Sequence, residues 1–112
     1  MATVPPPNDA LRDLAAVLGD DNVRALVRTF LRDFPGLLRE LGGGERKNRH
    51  RVAHSMKSNS RLVGALTLSR RMADIEARLE VPDGRDVSPE ELVSLTAEYE
   101  TIAAPLRAFV GP

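Results

Sequence analysis

A row of apolar residues between positions 23 and 41 constrains the fold of this 112-residue chain more than any other feature. The apolar residues recur every three or four positions, as on the buried face of an α-helix. The row comprises Val23, Leu26, Val27, Phe30, Leu31, Phe34, Leu37, Leu38 and Leu41. Pro35 removes one backbone hydrogen bond but leaves the row in phase, so we predict one long, kinked helix that Gly42-Gly43-Gly44 ends.

Shorter periodic segments surround this helix. A first helix begins after Asn8 or Asp9 and ends at Gly19, and Asp20 and Asp21 can cap the long helix. A third helix is predicted from about Glu45 to Leu62. A fourth follows the turn at Gly64 and buries Ala65, Leu68, Met72, Ile75 and Leu79.

The last helix has a strong start signal. Ser88-Pro89-Glu90-Glu91 is a capping box with proline at the first helical position, and it follows a turn-rich loop over residues 81–87. Pro105 is a second predicted kink. The apolar residues of this helix are Leu92, Leu95, Tyr99, Ile102, Leu106 and Phe109. Few aromatic and β-branched residues also favour helix, so we predict an all-α antiparallel four-helix bundle with a short additional N-terminal helix.

The domain organisation is simple. The length fits one domain, which we place at residues 8–112. Residues 1–7, which end in three prolines, are predicted to form a flexible tail or linker. This tail is either the start of a free-standing protein or the place where the domain was cut from a longer chain.

Composition excludes several classes of function. The formal net charge is zero, which gives no support to a general nucleic-acid or membrane role. There is no cysteine, which excludes thiolate catalysis and disulfides and is compatible with a cytoplasmic location. No apolar run approaches the roughly 20 residues of a membrane span, and the N-terminus lacks a signal-peptide core.

The third predicted helix carries His54 on a polar, basic face. Lys57 and Ser58 are its neighbours one turn on, and Arg61 follows a turn later, because residues three and four apart share a face. The opposite face comprises Val52, Met56, Asn59 and Val63. Between positions 45 and 61 one acid, Glu45, accompanies the cations Arg46, Lys47, Arg49, Arg51, Lys57 and Arg61. The sequence therefore favours an acidic partner at this face.

The motif that begins at His54 has further parts. A lysine follows three residues later, small polar residues occupy the next three positions, Gly64-Ala65 stands ten and eleven residues on, and the segment ends in Leu79-Glu80. This stretch resembles the signature of histidine phosphotransfer (HPt) domains, small helical bundles that relay a phosphoryl group between receiver-domain aspartates through one histidine. Three positions depart from the family pattern without removing a reactive group, namely Ser58 for glycine, Asn59 for serine or alanine, and Met72 for a frequent cysteine.

The resemblance implies that His54 is the phosphoacceptor and that Glu76 orients its ring through a hydrogen bond. Lys57 is placed to neutralise the charge of the phosphoryl oxygens. If the third and fourth helices are antiparallel about a turn near Gly64, His54 and Glu76 lie ~15 Å and ~18 Å from that turn, at nearly one level. The alternative is that Glu76 is a solvated residue, and in either case we expect its side chain to be mostly exposed.

Three further residues are predicted to contact a partner, namely His50, Ser58 and Arg61. The small side chain of Ser58 would let a receiver domain bring its aspartate close to His54. We expect His50 and His54 to have similar solvent exposure, because both lie on the same helix face.

Other chemistries fit the residues less well. His50 and His54 have metal-binding spacing, but no third ligand is evident, and Arg51 stands where the zinc-protease motif needs glutamate. Serines 55, 58 and 60 have no relay that would activate them. The three glycines at 42–44 follow a helix instead of a strand, which excludes a P-loop.

The sequence thus predicts a monomeric phosphocarrier that is not an enzyme and needs no cofactor. Its partners would be a response-regulator receiver domain and a sensor histidine kinase, and any Mg²⁺ would belong to the receiver, since this chain has no acidic cluster fit to hold the ion. Two alternatives remain open. One is a non-catalytic docking module of the same fold, and the other is the phosphoacceptor domain of a chemotaxis-type histidine kinase.

Overall fold

The computed structural model describes residues 4–111, and within this range the chain forms five α-helices and no strand. The helices are α1 (Asp9–Leu18), α2 (Asp20–Leu41), α3 (Arg46–Leu62), α4 (Leu66–Glu80) and α5 (Pro89–Val110). The all-α prediction is confirmed. Both α2 and α5 continue through their internal prolines, so each is one helix, as predicted.

Four of the helices close a ring. α2 packs against α3, α3 against α4, α4 against α5, and α5 returns to α2, whereas α1 packs mainly against α2. The contacts that join α3 to α4, α4 to α5 and α5 to α2 pair the start of one helix with the end of the next. An antiparallel four-helix bundle of this kind presents each helix to two neighbours. It places the middle of α3 directly beside the middle of α4.

The predicted apolar row of α2 forms one wall of the core. Val23, Val27, Phe30, Phe34, Leu38 and Leu41 are buried. From α5, the ring of Tyr99 stacks on Phe34 with 5.0 Å between centroids, and its hydroxyl donates to the Leu31 carbonyl at 3.1 Å. The hydroxyl thus has a partner despite its burial, as buried tyrosines usually require.

Local capping sets most of the helix boundaries. The side chain of Asn8 accepts from the backbone N–H of Leu11 at the start of α1, and Ser88 accepts from Glu91 at the start of α5. The prediction that Asp20 and Asp21 cap α2 is wrong. Gly19 occupies the cap position of α2 and also ends α1, so both aspartates lie inside the first turn. In this position their negative charges interact favourably with the positive end of the helix dipole.

The turn between α3 and α4 is in contact with the start of α1. Gly64 has φ +81°, and the side-chain amide of Asn8 donates to the neighbouring Val63 carbonyl at 2.9 Å. A Cβ on Gly64 would lie 2.4 Å from Asn8 Oδ1. Asn8 therefore both caps α1 and links α1 to this turn by a hydrogen bond.

The predicted loop over residues 81–87 joins α4 to α5 without helix. Residues 4–7 of the predicted tail are also non-helical, whereas residues 1–3 and 112 lie outside the described range. No helix in the described part of the chain is both long and apolar enough to cross a membrane.

Candidate functional site

His54 and Glu76 meet across the α3–α4 interface. The antiparallel arrangement puts them at one level, and His54 Nδ1 lies 2.5 Å from Glu76 Oε2. The histidine side chain is 60 % exposed, so its ring stands at the surface while one edge contacts α4. The level of the two residues was predicted from the sequence, and the structure bears it out.

Glu76 holds two partners at once. Its second carboxylate oxygen, Oε1, lies 2.6 Å from Lys57 Nζ. Burial by itself would raise the pKa of Glu76, but the hydrogen bonds and charges of Lys57 and His54 outweigh it, so the pKa lies below its ordinary value. The carboxylate is therefore ionised at neutral pH.

The ionised carboxylate decides which ring nitrogen of His54 is free. A carboxylate only accepts hydrogen bonds, so the proton of a neutral imidazole sits on Nδ1 and the lone pair on Nε2. Nε2 has no hydrogen-bond partner among residues 4–111. In its neutral form the ring thus presents Nε2 at the surface, with its lone pair free and its orientation fixed by Glu76.

Glu76 is less exposed than expected. Its side chain is 17 % exposed, which contradicts the expectation of a mostly solvated residue. The reason is that His54 and Lys57 cover it from α3. This contact between helices is not visible in the periodicity of α4.

Lys57 is not a free cation in this arrangement. Its side chain is 32 % exposed, and its ammonium is paired with Glu76. Ser69 Oγ donates to the Lys57 backbone carbonyl at 2.9 Å, which adds a second tie between the helices beside the site. An ammonium has three donors, so the pair with Glu76 leaves donors for another acceptor.

His50 repeats the His54 arrangement one turn away, but with the opposite nitrogen. Its Nε2 lies 2.5 Å from Glu80 Oε2, in a contact that lacks hydrogen-bond geometry. The side chain is 31 % exposed, about half the value for His54, so the prediction of similar exposure is wrong. Glu80 was missed in the sequence, although Glu76 and Glu80 have the same four-residue spacing as the two histidines.

Much of the positive charge predicted around His54 is used inside the fold. Arg46 donates to the backbone carbonyls of Arg78, Leu79, Val81 and Gly84, where it caps the end of α4. Arg49 pairs with Asp86 at 2.7 Å. The basic face is therefore narrower than the sequence suggested. Within residues 4–111, Lys47, Arg51 and Arg61 form no ion pair, and the side chain of Arg61 also makes no hydrogen bond.

Ser58 and Arg61 form a ridge between two surface depressions. On one side is a groove of about 550 Å³ between α1 and α3, which includes Leu14, Val17 and Leu62. On the other is a pocket of about 370 Å³ between α3 and α4. Ser58 is exposed, as predicted, and lies one turn from His54.

Two further polar residues of α3, Asn59 and Ser60, are buried to different degrees. Ser60 is fully buried and its hydroxyl has no partner among the described residues, whereas Asn59 is half-buried. No group of three histidine, aspartate or glutamate side chains within residues 4–111 is arranged to hold a metal ion.

Comparison with known proteins found no matching family model, no matching curated protein and no matching solved structure.

Proposed function

We propose that this chain is a histidine phosphotransfer domain that carries a phosphoryl group on His54 between receiver-domain aspartates. One observation carries the proposal: the exposed His54 ring is held by Glu76 through Nδ1, which leaves Nε2 as a free nucleophile. The likeness of the 53–80 segment to the HPt signature supports the same function. In this role the chain is a phosphocarrier and not an enzyme.

The transfer step uses few protein groups. Nε2 of His54 attacks the phosphorus of an aspartyl phosphate, the N–P bond forms, and the P–O bond to the aspartate breaks with its electron pair on the leaving carboxylate. The ring gains positive charge, which the carboxylate of Glu76 stabilises across the Nδ1–H bond. The free donors of Lys57 are available to the phosphoryl oxygens. A Mg²⁺ ion, where required, belongs to the receiver domain.

The surface beside His54 suits the approach of a second domain. The side chain of Ser58, one turn from the His54 ring, is small and leaves room for a partner. The adjacent groove between α1 and α3 exposes apolar surface. Val17 of α1 is 81 % exposed and Leu62 of α3 is 45 % exposed in this region. An apolar patch with a polar rim is typical of protein docking sites. We infer that the receiver domain contacts this groove while its aspartate faces His54.

The experiment is transfer of labelled phosphate. Purified receiver domains, phosphorylated with a labelled small-molecule donor, are mixed with the chain, and label on the chain is tested for acid lability. Wild type should take up label and His54→Gln should not, while both bind the receiver equally. Failure of wild type with every receiver tested, or labelling of His54→Gln, would contradict the proposal.

Two alternatives have specific support. A docking module without phosphate transfer is favoured by the ion pair between Lys57 and Glu76. This pair already neutralises the ammonium that was expected to neutralise the phosphoryl group. The phosphoacceptor domain of a chemotaxis-type kinase is favoured by glutamate at position 76, a residue that fits that variant. Labelling by a chemotaxis-type ATP-binding domain but by no receiver would favour the latter.

A further inference from the structure

The pocket between α3 and α4 differs in charge from the rest of the surface near His54. Its walls include three cations, Lys57, Arg61 and Arg70, and no carboxylate. Ser69 also lines it, but its hydroxyl is already bonded to the Lys57 carbonyl. The pocket therefore concentrates positive charge in a chain whose net charge is zero.

Two of these cations are uncompensated. Arg61 makes no ion pair within residues 4–111, and the one side-chain hydrogen bond of Arg70 in this range is to the Thr67 hydroxyl, at 3.4 Å. Arg70 also borders a depression that includes Asp74 and Glu91, but both of these carboxylates pair with Arg78 instead. Asp13 lies along the α1–α3 groove on the far side of Arg61, but the two form no ion pair. By contrast, Arg71 and Arg78 of α4 are paired with glutamates of α5. Charge complementarity therefore favours an anionic occupant for this pocket.

The position of the pocket relates it to His54. Ser58 lies one turn from His54 and Arg61 seven residues from it, which corresponds to a rise of about 10 Å along α3. Lys57 belongs both to the pocket and to the Glu76 pair. A group bound in the pocket would therefore lie near His54 without contacting the reacting nitrogen, since His54 is not part of the pocket wall.

We propose that this pocket receives an acidic side chain of the docked receiver domain, separate from the phosphorylated aspartate. This inference rests on the proposed phosphotransfer function and assigns Arg70, with Arg61, to partner recognition. Planar guanidinium groups suit a carboxylate, which each can bind through two N–H groups. The contact would fix the rotation of the receiver about the His54–aspartate axis and would also speed the encounter.

The kinetic test compares charge reversals on one helix bundle. The double variant Arg61→Glu/Arg70→Glu is compared with Lys47→Glu, an exposed cation on α3 that lies outside the pocket. In transfer from a phosphorylated receiver domain, the double variant should raise KM at least about tenfold and flatten its salt dependence, whereas Lys47→Glu should change KM less than about twofold. Circular dichroism confirms that each variant folds.

The failure of this inference is distinguishable from failure of the phosphotransfer function. If wild type takes phosphate and the double variant has the same KM as Lys47→Glu, the pocket is not a recognition site, whereas the phosphotransfer function is still supported. If wild type takes no phosphate from any receiver, the phosphotransfer function is contradicted. The proposal that a receiver domain occupies the pocket is then contradicted as well.

A second measurement does not depend on transfer. Isotope-labelled chain is titrated with an acetylated tri-aspartate peptide and, separately, with ATP, while backbone amide shifts are followed by NMR. Shifts from the peptide that cluster at Ser58, Arg61 and Arg70, and that vanish in the double variant, support the proposal. Shifts that cluster at Lys47 instead, or that arise with ATP alone, overturn it, the latter because the pocket would then favour a nucleotide phosphate.

Discussion

His50 and His54 lie one helical turn apart on α3, yet they turn opposite ring nitrogens towards glutamates of α4. His54 contacts Glu76 through Nδ1, and His50 contacts Glu80 through Nε2. In a helical histidine, Nε2 points away from the backbone and is the nitrogen that a bulky partner reaches more easily. The carboxylate leaves this nitrogen free in His54 and covers it in His50. Two histidines with similar sequence surroundings are thus chemically distinct.

This difference predicts separate outcomes for the two histidines. His54→Gln should abolish acid-labile phosphorylation, while His50→Gln should leave the transfer rate within a few-fold of wild type. Labelled-phosphate transfer measures both, and the helical content by circular dichroism should be unchanged in each. Loss of phosphorylation on His50→Gln alone would mean that the wrong histidine has been assigned.

Replacement of Glu76 tests whether the carboxylate orients His54. Glu76→Ala removes both acceptor oxygens and should slow transfer about tenfold, the lower end of the effect of losing a partner that orients a functional imidazole. The tautomer state, read from ¹⁵N shifts of the His54 ring, should lose its preference for Nδ1–H. Glu80→Ala is the matched control at His50. Equal transfer rates for Glu76→Ala and wild type would return Glu76 to a structural role.

Bulk at Ser58 tests access to His54. Ser58→Gly should be tolerated in receiver binding, whereas Ser58→Trp should weaken it, because the indole would fill the approach between the two depressions. Binding is measured by titration calorimetry with an unphosphorylated receiver domain, and the fold is checked by circular dichroism. Equal affinities for the two variants would place the docking face elsewhere on the bundle.

The Arg78–Glu91 pair predicts how stability depends on pH. The hydrogen bonds from Arg78, at 2.7 Å and 2.9 Å, hold the pKa of Glu91 below its ordinary value of 4.5. The pair therefore stabilises the fold fully above about pH 4.5 and loses this contribution as the pH falls through the lower pKa of the folded state. Glu91→Gln should cost about 2 kcal/mol at pH 7, a typical value for charged hydrogen bonds, and much less near pH 2. Urea unfolding at the two pH values measures this, and an equal loss at both would exclude the charge as the cause.

Gly64 predicts a backbone effect on stability. Gly64→Ala places a Cβ at positive φ and against Asn8, so it should destabilise the fold by at least about 1 kcal/mol. Gly43→Ala is the control, because its Cβ would meet no atom within 4 Å. It should change the free energy of unfolding by less than about 0.5 kcal/mol. Similar unfolding midpoints for the two variants would contradict the role assigned to the Asn8 contact.

The sequence by itself was sufficient for the helices and for most of their buried residues, with exceptions such as Ala53 and Ala103. The apolar row of α2, the caps at Asn8 and Ser88, and the glycines that end helices all act over a few residues. Periodicity and capping are local properties, so they can be read without knowledge of the packing. The levels of His54 and Glu76 also followed from residue counts, because helical rise is constant and the turn at Gly64 is short.

Only the tertiary structure decided which charges pair. The sequence did not predict that Glu76 is largely buried and shared between His54 and Lys57. It also did not predict the contact of His50 with Glu80 or the capping of α4 by Arg46. These contacts depend on how each helix is rotated about its axis and which rotamer each long side chain adopts. Rotation and rotamers are set by packing across the whole core, and a one-dimensional pattern does not contain them.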